Sequence, residues 1–186
     1  MNVAIIGASG YTGLELIKIL INHPRFNIAY IANSSGEMNV QDLHPCLKNV
    51  INMDVSLANA SEVAKVADLA FLALPHKTAM AFAKDLLNLG VKVVDLSADY
   101  RLSLENYEKH YCEHEDKEHI NEAVYGLPEY FKEDIKTANL IANPGCYPTA
   151  SLLALLPFIE HIDTDAPIFI DAKSGVSGAG KNPSET

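Results

Sequence analysis

Val3-Ala4-Ile5-Ile6-Gly7-Ala8-Ser9-Gly10-Tyr11-Thr12-Gly13 opens with an unbroken apolar run and passes into three glycines spaced GxxGxxG. Leu14, Ile17, Leu20 and Ile21 follow at helical spacing, so the stretch predicts a strand, a glycine loop and a helix. Glycines allow a tight turn and close backbone approach, and a helix start offers unpaired N–H groups to an anion. This is the context that holds a dinucleotide pyrophosphate, although the spacing is not GxGxxG. Gly7, Ser9, Gly10, Tyr11, Thr12 and Gly13 are therefore candidate cofactor contacts. A strand-to-helix turn with nothing bound would use the same glycines.

Outward from this stretch, strand and helix patterns alternate. Residues 27–31 read as a second strand after Pro24, and residues 68–74 and 91–96 as further strands. A helix over residues 78–89, ended by Gly90, lies between the last two. Such alternation implies right-handed crossovers and a parallel sheet, with ligands gathered at the carboxyl ends of its strands. Those ends carry the glycine loop, Ser34-Ser35, Pro75-His76, Ser97-Ala98-Asp99-Tyr100-Arg101 and a turn at Cys146. The end of the second strand discriminates between cofactors. A free ribose 2′-OH is usually met by Asp or Glu about 20 residues after the glycines. Here Ser34 and Ser35 stand where a carboxylate would repel a 2′-phosphate, which favours NADP over NAD. The arginine that often accompanies a 2′-phosphate is missing from this loop, and a plain Ser-rich turn reads the same way.

Asn143-Pro144-Gly145-Cys146-Tyr147-Pro148-Thr149 places a single cysteine between the short apolar run 140–142 and a helix whose apolar residues run nearly all round over residues 151–160, as in a buried helix. Pro148 suits a first helical turn, where its missing N–H is no loss. The free N–H groups of that turn would favour thiolate over thiol and could hold an oxyanion formed when sulfur adds to a carbonyl. Cys146 is thus a candidate nucleophile, while a free cysteine also serves as a small buried hydrophobe.

Composition bounds the function classes. The 186 residues are 48% hydrophobic, with Lys+Arg 14 against Asp+Glu 24 and a formal charge of −10, which speaks against nucleic acid and anionic membranes as partners. No apolar run reaches transmembrane length and no leader pattern precedes the first strand, so the expected location is cytoplasmic. In an acidic chain an anionic substrate needs local cations, and Arg101 and Lys181 are the candidates for a phosphate group; either could equally face solvent or pair with a local carboxylate. Cys46, Cys112 and Cys146 form no CxxC pair. His44-Pro45-Cys46 and His110, Cys112 and His114 contain metal-ligand types, but neither group is completed by a fourth ligand, and the second lies in a charged run over residues 105–122 that reads as a solvated helix or loop. No metal is expected. Residues 167–171 read as a last strand, followed by the glycine-serine loop 174–181, and the chain reaches Thr186 without a closing element, as though a second domain continued.

Taken together, these motifs resemble the N-acetyl-gamma-glutamyl-phosphate reductase family along the whole chain. The glycine loop, Leu72-Ala73-Leu74-Pro75-His76, Leu96-Ser97-Ala98-Asp99-Tyr100-Arg101-Leu102, Ala123-Val124-Tyr125-Gly126-Leu127-Pro128-Glu129 and the Cys146 motif are each similar to that family's signatures. The resemblance implies an α/β fold: a Rossmann-like doubly wound parallel sheet over residues 1–146 that binds NADP, then the incomplete start of a second α/β (α+β) catalytic and dimerisation domain over residues 147–186. It implies that the Cys146 thiolate attacks an acyl phosphate and that NADPH reduces the resulting thioester. Pro75, Ser177 and Gly178 then join the cofactor contacts and Asn143 the substrate contacts, beside Arg101 and Lys181. It also implies a homo-oligomer, and a catalytic histidine in a later segment that none of the seven histidines here occupies, so that this chain alone would be inactive. Aspartate-semialdehyde dehydrogenase shares the chemistry, but its cysteine motif usually differs at the positions of Gly145 and Tyr147. A cofactor-binding module without turnover is the reading from another class.

Overall fold

The computed structural model describes residues 1–163 and 165–181. In chain order the elements are β1 (Asn2–Ile6), α1 (Tyr11–Ile21), β2 (Asn27–Asn33), β3 (Met38–Asn39), α2 (Val40–Leu43), β4 (Asp54–Leu57), α3 (Ala60–Val66), β5 (Leu69–Leu72), α4 (Thr78–Asn88), β6 (Lys92–Asp95), α5 (Leu104–His110), β7 (Val124–Tyr125), α6 (Pro128–Thr137), β8 (Leu140–Ala142) and α7 (Cys146–Leu155). One sheet holds all eight strands in the order β3-β4-β2-β1-β5-β6-β8-β7. Every pairing is parallel except that of β3 with β4.

Parallel strands joined by helices are buried on both faces, which is why β1 is apolar without alternation. Ala4 and Ile6 of β1 face one cluster with Val63, Met80, Ala83 and Leu86 from α3 and α4. Val3 and Ile5 face the other, with Ile17 and Leu20 of α1. Burying each such Val, Ile or Leu side chain contributes about 1.5–3 kcal/mol. No helix of the described residues is long and apolar enough to cross a membrane.

The glycine motif is tighter than a loop. Tyr11, Thr12 and Gly13 already belong to α1, with Gly10 as its N-cap. A Cβ on Gly13 would come within 2.6 Å of the Gly7 carbonyl oxygen, and one on Gly7, whose φ is +92°, within 2.1 Å of the Ala73 oxygen. Packing alone therefore demands glycine at 7 and 13.

Three expectations need correction. The helix expected after the Cys146 turn, with Pro148 in its first turn, runs from Cys146 and passes at Leu156 into a 3-10 turn ending at His161, but it is not the buried helix its apolar residues 151–160 suggested, with no buried residue in either. An apolar sequence needs a covering partner before it is buried, and the described residues supply none. For the same reason residues 167–171 form no strand: Ile168, Phe169 and Ile170 are exposed and pair with nothing in the sheet. The charged run 105–122 is only partly solvated, since Tyr107, His114, Asp116 and Ile120 are buried in it. The last residues of the expected second domain, 182–186, lie outside the described residues.

Candidate active site

Parallel strands bring their carboxyl ends to one edge of the sheet, about 4.8 Å apart from strand to strand. The order β2-β1-β5-β6-β8 places side by side on that edge the Ser34-Ser35 turn, the glycine turn, the Pro75-His76 loop, residues 96–101 and the Cys146 turn. The five candidate segments thus stand in a row along one edge of the sheet.

At the glycine turn, Gly10 caps α1 with φ −82° and ψ 169° and without a side-chain hydrogen bond. A Cβ there would meet nothing nearer than the Gly7 oxygen at 4.0 Å, so the space over the helix start is open to a ligand. The free N–H groups of the first turn and the exposed Tyr11 and Thr12 fit a pyrophosphate. Asn33, at the end of β2, organises the neighbourhood. Its Nδ2 donates to Ser9 Oγ at 3.1 Å, while its Oδ1 accepts the Ser35 and Gly36 N–H groups at 2.9 and 2.6 Å. This Asx-type turn commits Asn33 internally and leaves Ser34 and Ser35 exposed at that edge. His44 also supports the turn, its buried Nε2 lying 2.6 Å from the Ala8 oxygen as the natural donor.

Cys146 is the first residue of α7, capped by Gly145, and is exposed. The first helical turn leaves the N–H groups of Cys146 and Tyr147 without acceptors inside the helix. Arg101 holds this turn from the side: Nε donates to the Asn143 carbonyl at 2.8 Å and Nη2 to the Leu96 carbonyl at 2.7 Å. Its Nη1 lies beside Gly145, where a Cβ would approach within 3.2 Å. The guanidinium therefore reaches the cysteine's turn with donors to spare. A cavity of about 360 Å³ opens at the cysteine, bordered by Cys146, Tyr147 and Ser151 on α7 and by Ile170, Lys173 and Ser174 from the following segment.

Between the two turns lies a buried polar network. Asp95, wholly buried at the end of β6, accepts the Ser97 N–H and hydroxyl at 3.0 and 2.7 Å. Burial pushes its carboxyl up to about 6; the Ser97 bonds oppose that, the Asp99 charge adds to it and the Arg101 charge opposes it. Asp99, also wholly buried, accepts the Lys77 and Met80 N–H groups and the Tyr107 hydroxyl. Tyr100 donates to Asp116, and burial together with that bond keeps its phenol far above the ordinary range. His114 joins its Nε2 to the Asp99 carbonyl at 2.9 Å, so its proton sits there, and its Nδ1 accepts the Asp116 N–H. Every fully buried side-chain N or O atom of the described residues has a partner. Lys77 has φ 70° and ψ −50°, a strained region for a side-chain-bearing residue that typically costs about 1–3 kcal/mol.

The predicted residues thus divide. The structure gathers Gly7, Ser9, Gly10, Tyr11, Thr12, Gly13, Ser34, Ser35, Pro75, Arg101, Asn143 and Cys146 on the carboxyl edge. Ser177, Gly178 and Lys181 are exposed in the segment after the cavity and line none of it. Asn143 turns its Nδ2 to the Pro144 carbonyl. Sequence reasoning did not single out Asp95 or Asp116, and it gave Asn33, Asp99 and His114 other parts, as a loop donor to a 2′-phosphate, a strand-end residue and a member of a discounted metal group; the spacing Asp95-x-Ser97-x-Asp99, suited to side-chain-to-backbone turns, was the available signal. Among the described residues no group of three or more His, Cys, Asp or Glu is arranged to hold a metal.

The chain matches the family model described as semialdehyde dehydrogenase, NAD binding domain, over residues 2–138, and that described as semialdehyde dehydrogenase, dimerisation domain, over residues 146–186. It is 60% identical over 186 residues to N-acetyl-gamma-glutamyl-phosphate reductase of a Sulfurovum species, an alignment covering 100% of this chain and 56% of that relative. The protein of the same name from Campylobacter curvus is 61% identical over 181 residues, covering 97% of this chain and 54% of the relative. The chain spans about half the length of the curated relatives it matches. Among solved structures, aspartate semialdehyde dehydrogenase with NADP from Candida albicans superimposes with a TM-score of 0.62 at 17% identity, covering 86% of this chain and 47% of that one. That likeness is one of fold.

Proposed function

The chain belongs to the semialdehyde dehydrogenase family, and from that premise we propose that its site reduces N-acetyl-gamma-glutamyl phosphate to N-acetylglutamate 5-semialdehyde and phosphate with NADPH, in arginine biosynthesis. The observation that carries this reading is the exposed Cys146 at a helix start on the same sheet edge as the open glycine turn. The name shared by relatives at 60% and 61% identity supports the substrate.

In this reading Cys146 attacks as thiolate. A bond forms from its sulfur to the acyl carbon, the bond from that carbon to the phosphate oxygen breaks, and phosphate leaves. The N–H groups of Cys146 and Tyr147 are the donors available to the oxyanion. The free face of the Arg101 guanidinium neutralises the departing phosphate. The glycine turn would hold NADPH, with Ser34 and Ser35 available to its 2′-phosphate, and the bound cofactor would supply a hydride to the thioester carbon. Cys146 then leaves as thiolate when the carbon–sulfur bond breaks to release the aldehyde. Ser177, Gly178 and Lys181, exposed in the segment that follows the cavity, are retained as cofactor and phosphate contacts on the sequence and its family resemblance alone.

The exposed Leu153, Phe158, Ile159 and Phe169 support self-association through this end of the chain. We also read the 186-residue chain by itself as binding cofactor without completing turnover, because no histidine among the described residues borders the cavity at Cys146.

The test is to mix the protein with the acyl phosphate without reduced cofactor and to weigh it by mass spectrometry. An N-acetylglutamyl adduct on Cys146 is expected, released by NADPH. Consumption of the acyl phosphate with Cys146 left unmodified throughout would overturn the mechanism.

A further inference from the structure

Lys77 stands out among the described non-glycine residues of positive φ, because it alone caps a helix at the carboxyl edge of the sheet. Strain of this kind persists only where surrounding structure over-determines it. The determinant is Asp99. Its Oδ2 accepts the Lys77 N–H at 2.9 Å and the Met80 N–H at 3.0 Å, and its Oδ1 accepts the Tyr107 hydroxyl at 2.7 Å. Capping α4 would require only the Met80 bond, and a small polar residue at position 77 could supply that cap with a relaxed backbone. The Lys77 bond lies outside the helix and serves the loop instead.

That loop is gripped from the same side a second time, since the Ala98 N–H donates to His76 Nδ1 at 3.0 Å. The accepting Nδ1 directs the other ring nitrogen of the half-exposed imidazole away from the loop. On its far side the loop is bound to the glycine turn: Ala73 N–H donates to the Ile6 carbonyl at 2.8 Å, and Gly7 packs directly on the Ala73 oxygen. On the near side, two residues from Asp99, Arg101 holds the Cys146 turn. A dinucleotide reaching from the glycine turn toward Cys146 must pass over residues 75–77, because β5 lies between β1 and β8 in the sheet.

We propose that Asp99 is a positioning residue for the nicotinamide cofactor: through the strained Lys77 joint it fixes the Pro75-His76 segment over which the cofactor runs to Cys146. This rests on the function proposed above. Asp99 touches no ligand in this role; it sets the height and direction of a segment that does.

The experiment measures NADPH affinity by calorimetric titration, together with melting temperature, in the full-length wild-type protein, in Asp99→Asn and in the double variant Asp99→Asn with Lys77→Gly. Asparagine keeps the shape but presents one oxygen where the carboxylate presents two. Asp99→Asn should bind NADPH about tenfold more weakly, roughly the effect of releasing one strained joint. Glycine at 77 adopts the required φ without strain, so the double variant should recover to within about threefold of wild type. Recovery cannot come from the lost ammonium, whose removal would weaken binding to an anionic ligand. A purely structural cap would lower the melting temperature and leave the affinity unchanged, and that result, or a double variant as weak as Asp99→Asn, overturns the proposal. Should Asp99→Asn not fold, Tyr107→Phe removes one donor to the same carboxylate and should weaken NADPH about threefold, with unchanged affinity again overturning it. A wild-type protein that binds neither NADPH nor NADH would sink the proposed function itself, a different failure from equal affinities in wild type and variant.

Discussion

Helices α1 and α7 each follow a parallel strand and a glycine N-cap in nearly the same extended conformation, φ −82° and ψ 169° at Gly10 against φ −72° and ψ 165° at Gly145, and neither cap carries a side-chain hydrogen bond. Both are apolar. Yet α1 buries Gly13, Ile17 and Leu20, and α7 buries nothing. The difference lies in what each helix meets. Helix α1 folds back on β1 and β2 and closes one face of the sheet, whereas α7 leads into a segment whose described residues, 156–163 and 165–181, form no layer of their own. The two helix starts offer the same dipole and the same free N–H groups. What separates them chemically is a cysteine at the first position of α7, where α1 has an aromatic residue.

The largest expected effect breaks the comparison at that cysteine. Cys146→Ala in the full-length protein should lower turnover by on the order of 10⁴-fold or more, as loss of a covalent nucleophile does, while leaving NADPH affinity within about twofold. Steady-state kinetics and cofactor titration check it. Turnover comparable to wild type would mean that the two helix starts differ in nothing chemical.

Next comes burial. Leu20→Ala should cost about 2–5 kcal/mol, because Leu20 is 4% exposed and its removal opens a cavity under α1. Leu153→Ala in α7, 36% exposed, should cost less than about 0.5 kcal/mol in the 186-residue chain. Urea unfolding of both variants checks the pair. A large, concentration-dependent cost at Leu153 would place a second copy over α7.

Local signals were equally legible in both regions, and this is why the sequence reading succeeded for one and overreached for the other. The apolar run 3–6 and the glycines after it specify strand, turn and helix through neighbours in the chain, so that α1, α4 and the parallel strands β1, β2, β5, β6 and β8 could be read directly, while the short β4 and β7 were not. Residues 167–171 have the same apolar character, but a strand exists only where another strand accepts its hydrogen bonds, and no local pattern reports whether one is present. The candidate site was legible where a residue type carries its own chemistry, as at Cys146 and Gly10. It was illegible where a polar residue acts by being enclosed. His114 and Asp116 are wholly buried, yet they stand in the charged run 105–122 whose pattern reads as solvent-facing. Asn33 looks like one more polar loop residue until its carboxamide is seen closing the Ser34-Ser35 turn.

The seam between the two regions runs through Asp95, whose carbonyl accepts the Asn143 N–H just before the Cys146 turn. Its carboxyl, pushed from 3.8 up to about 6 chiefly by burial, holds its proton more tightly in the folded than in the unfolded chain. The folded state therefore binds more protons between these values, and this group's contribution to stability is present in full below about pH 4 and is lost as the pH rises to 6. Asp95→Asn should remove that dependence, worth about 1–3 kcal/mol across the window, and flatten the decline. Chemical unfolding of both proteins between pH 4 and pH 7 measures it. Identical slopes would mean that the carboxyl titrates at its ordinary value and that the seam is wetter than its burial indicates.

The smallest effect tests the opposite end of the edge. Ser34 and Ser35 are exposed beside the glycine turn, held outward by Asn33, and a carboxylate is absent from the turn itself. If α1 presents its start to a cofactor bearing a 2′-phosphate, Ser34→Asp sets a like charge beside that phosphate, and NADPH should bind about tenfold more weakly while NADH is spared or gains. Position 34 is exposed, and the Asn33 Oδ1 bonds go to the Ser35 and Gly36 N–H groups, which the substitution does not remove. Stability should therefore stay within about 0.5 kcal/mol, separating a charge effect from a broken turn. Calorimetric titration of both cofactors into both proteins decides the matter. Equal wild-type affinities for NADPH and NADH would show that the Ser-rich turn discriminates nothing, and the helix start of α1 would then be left with the pyrophosphate as its only function.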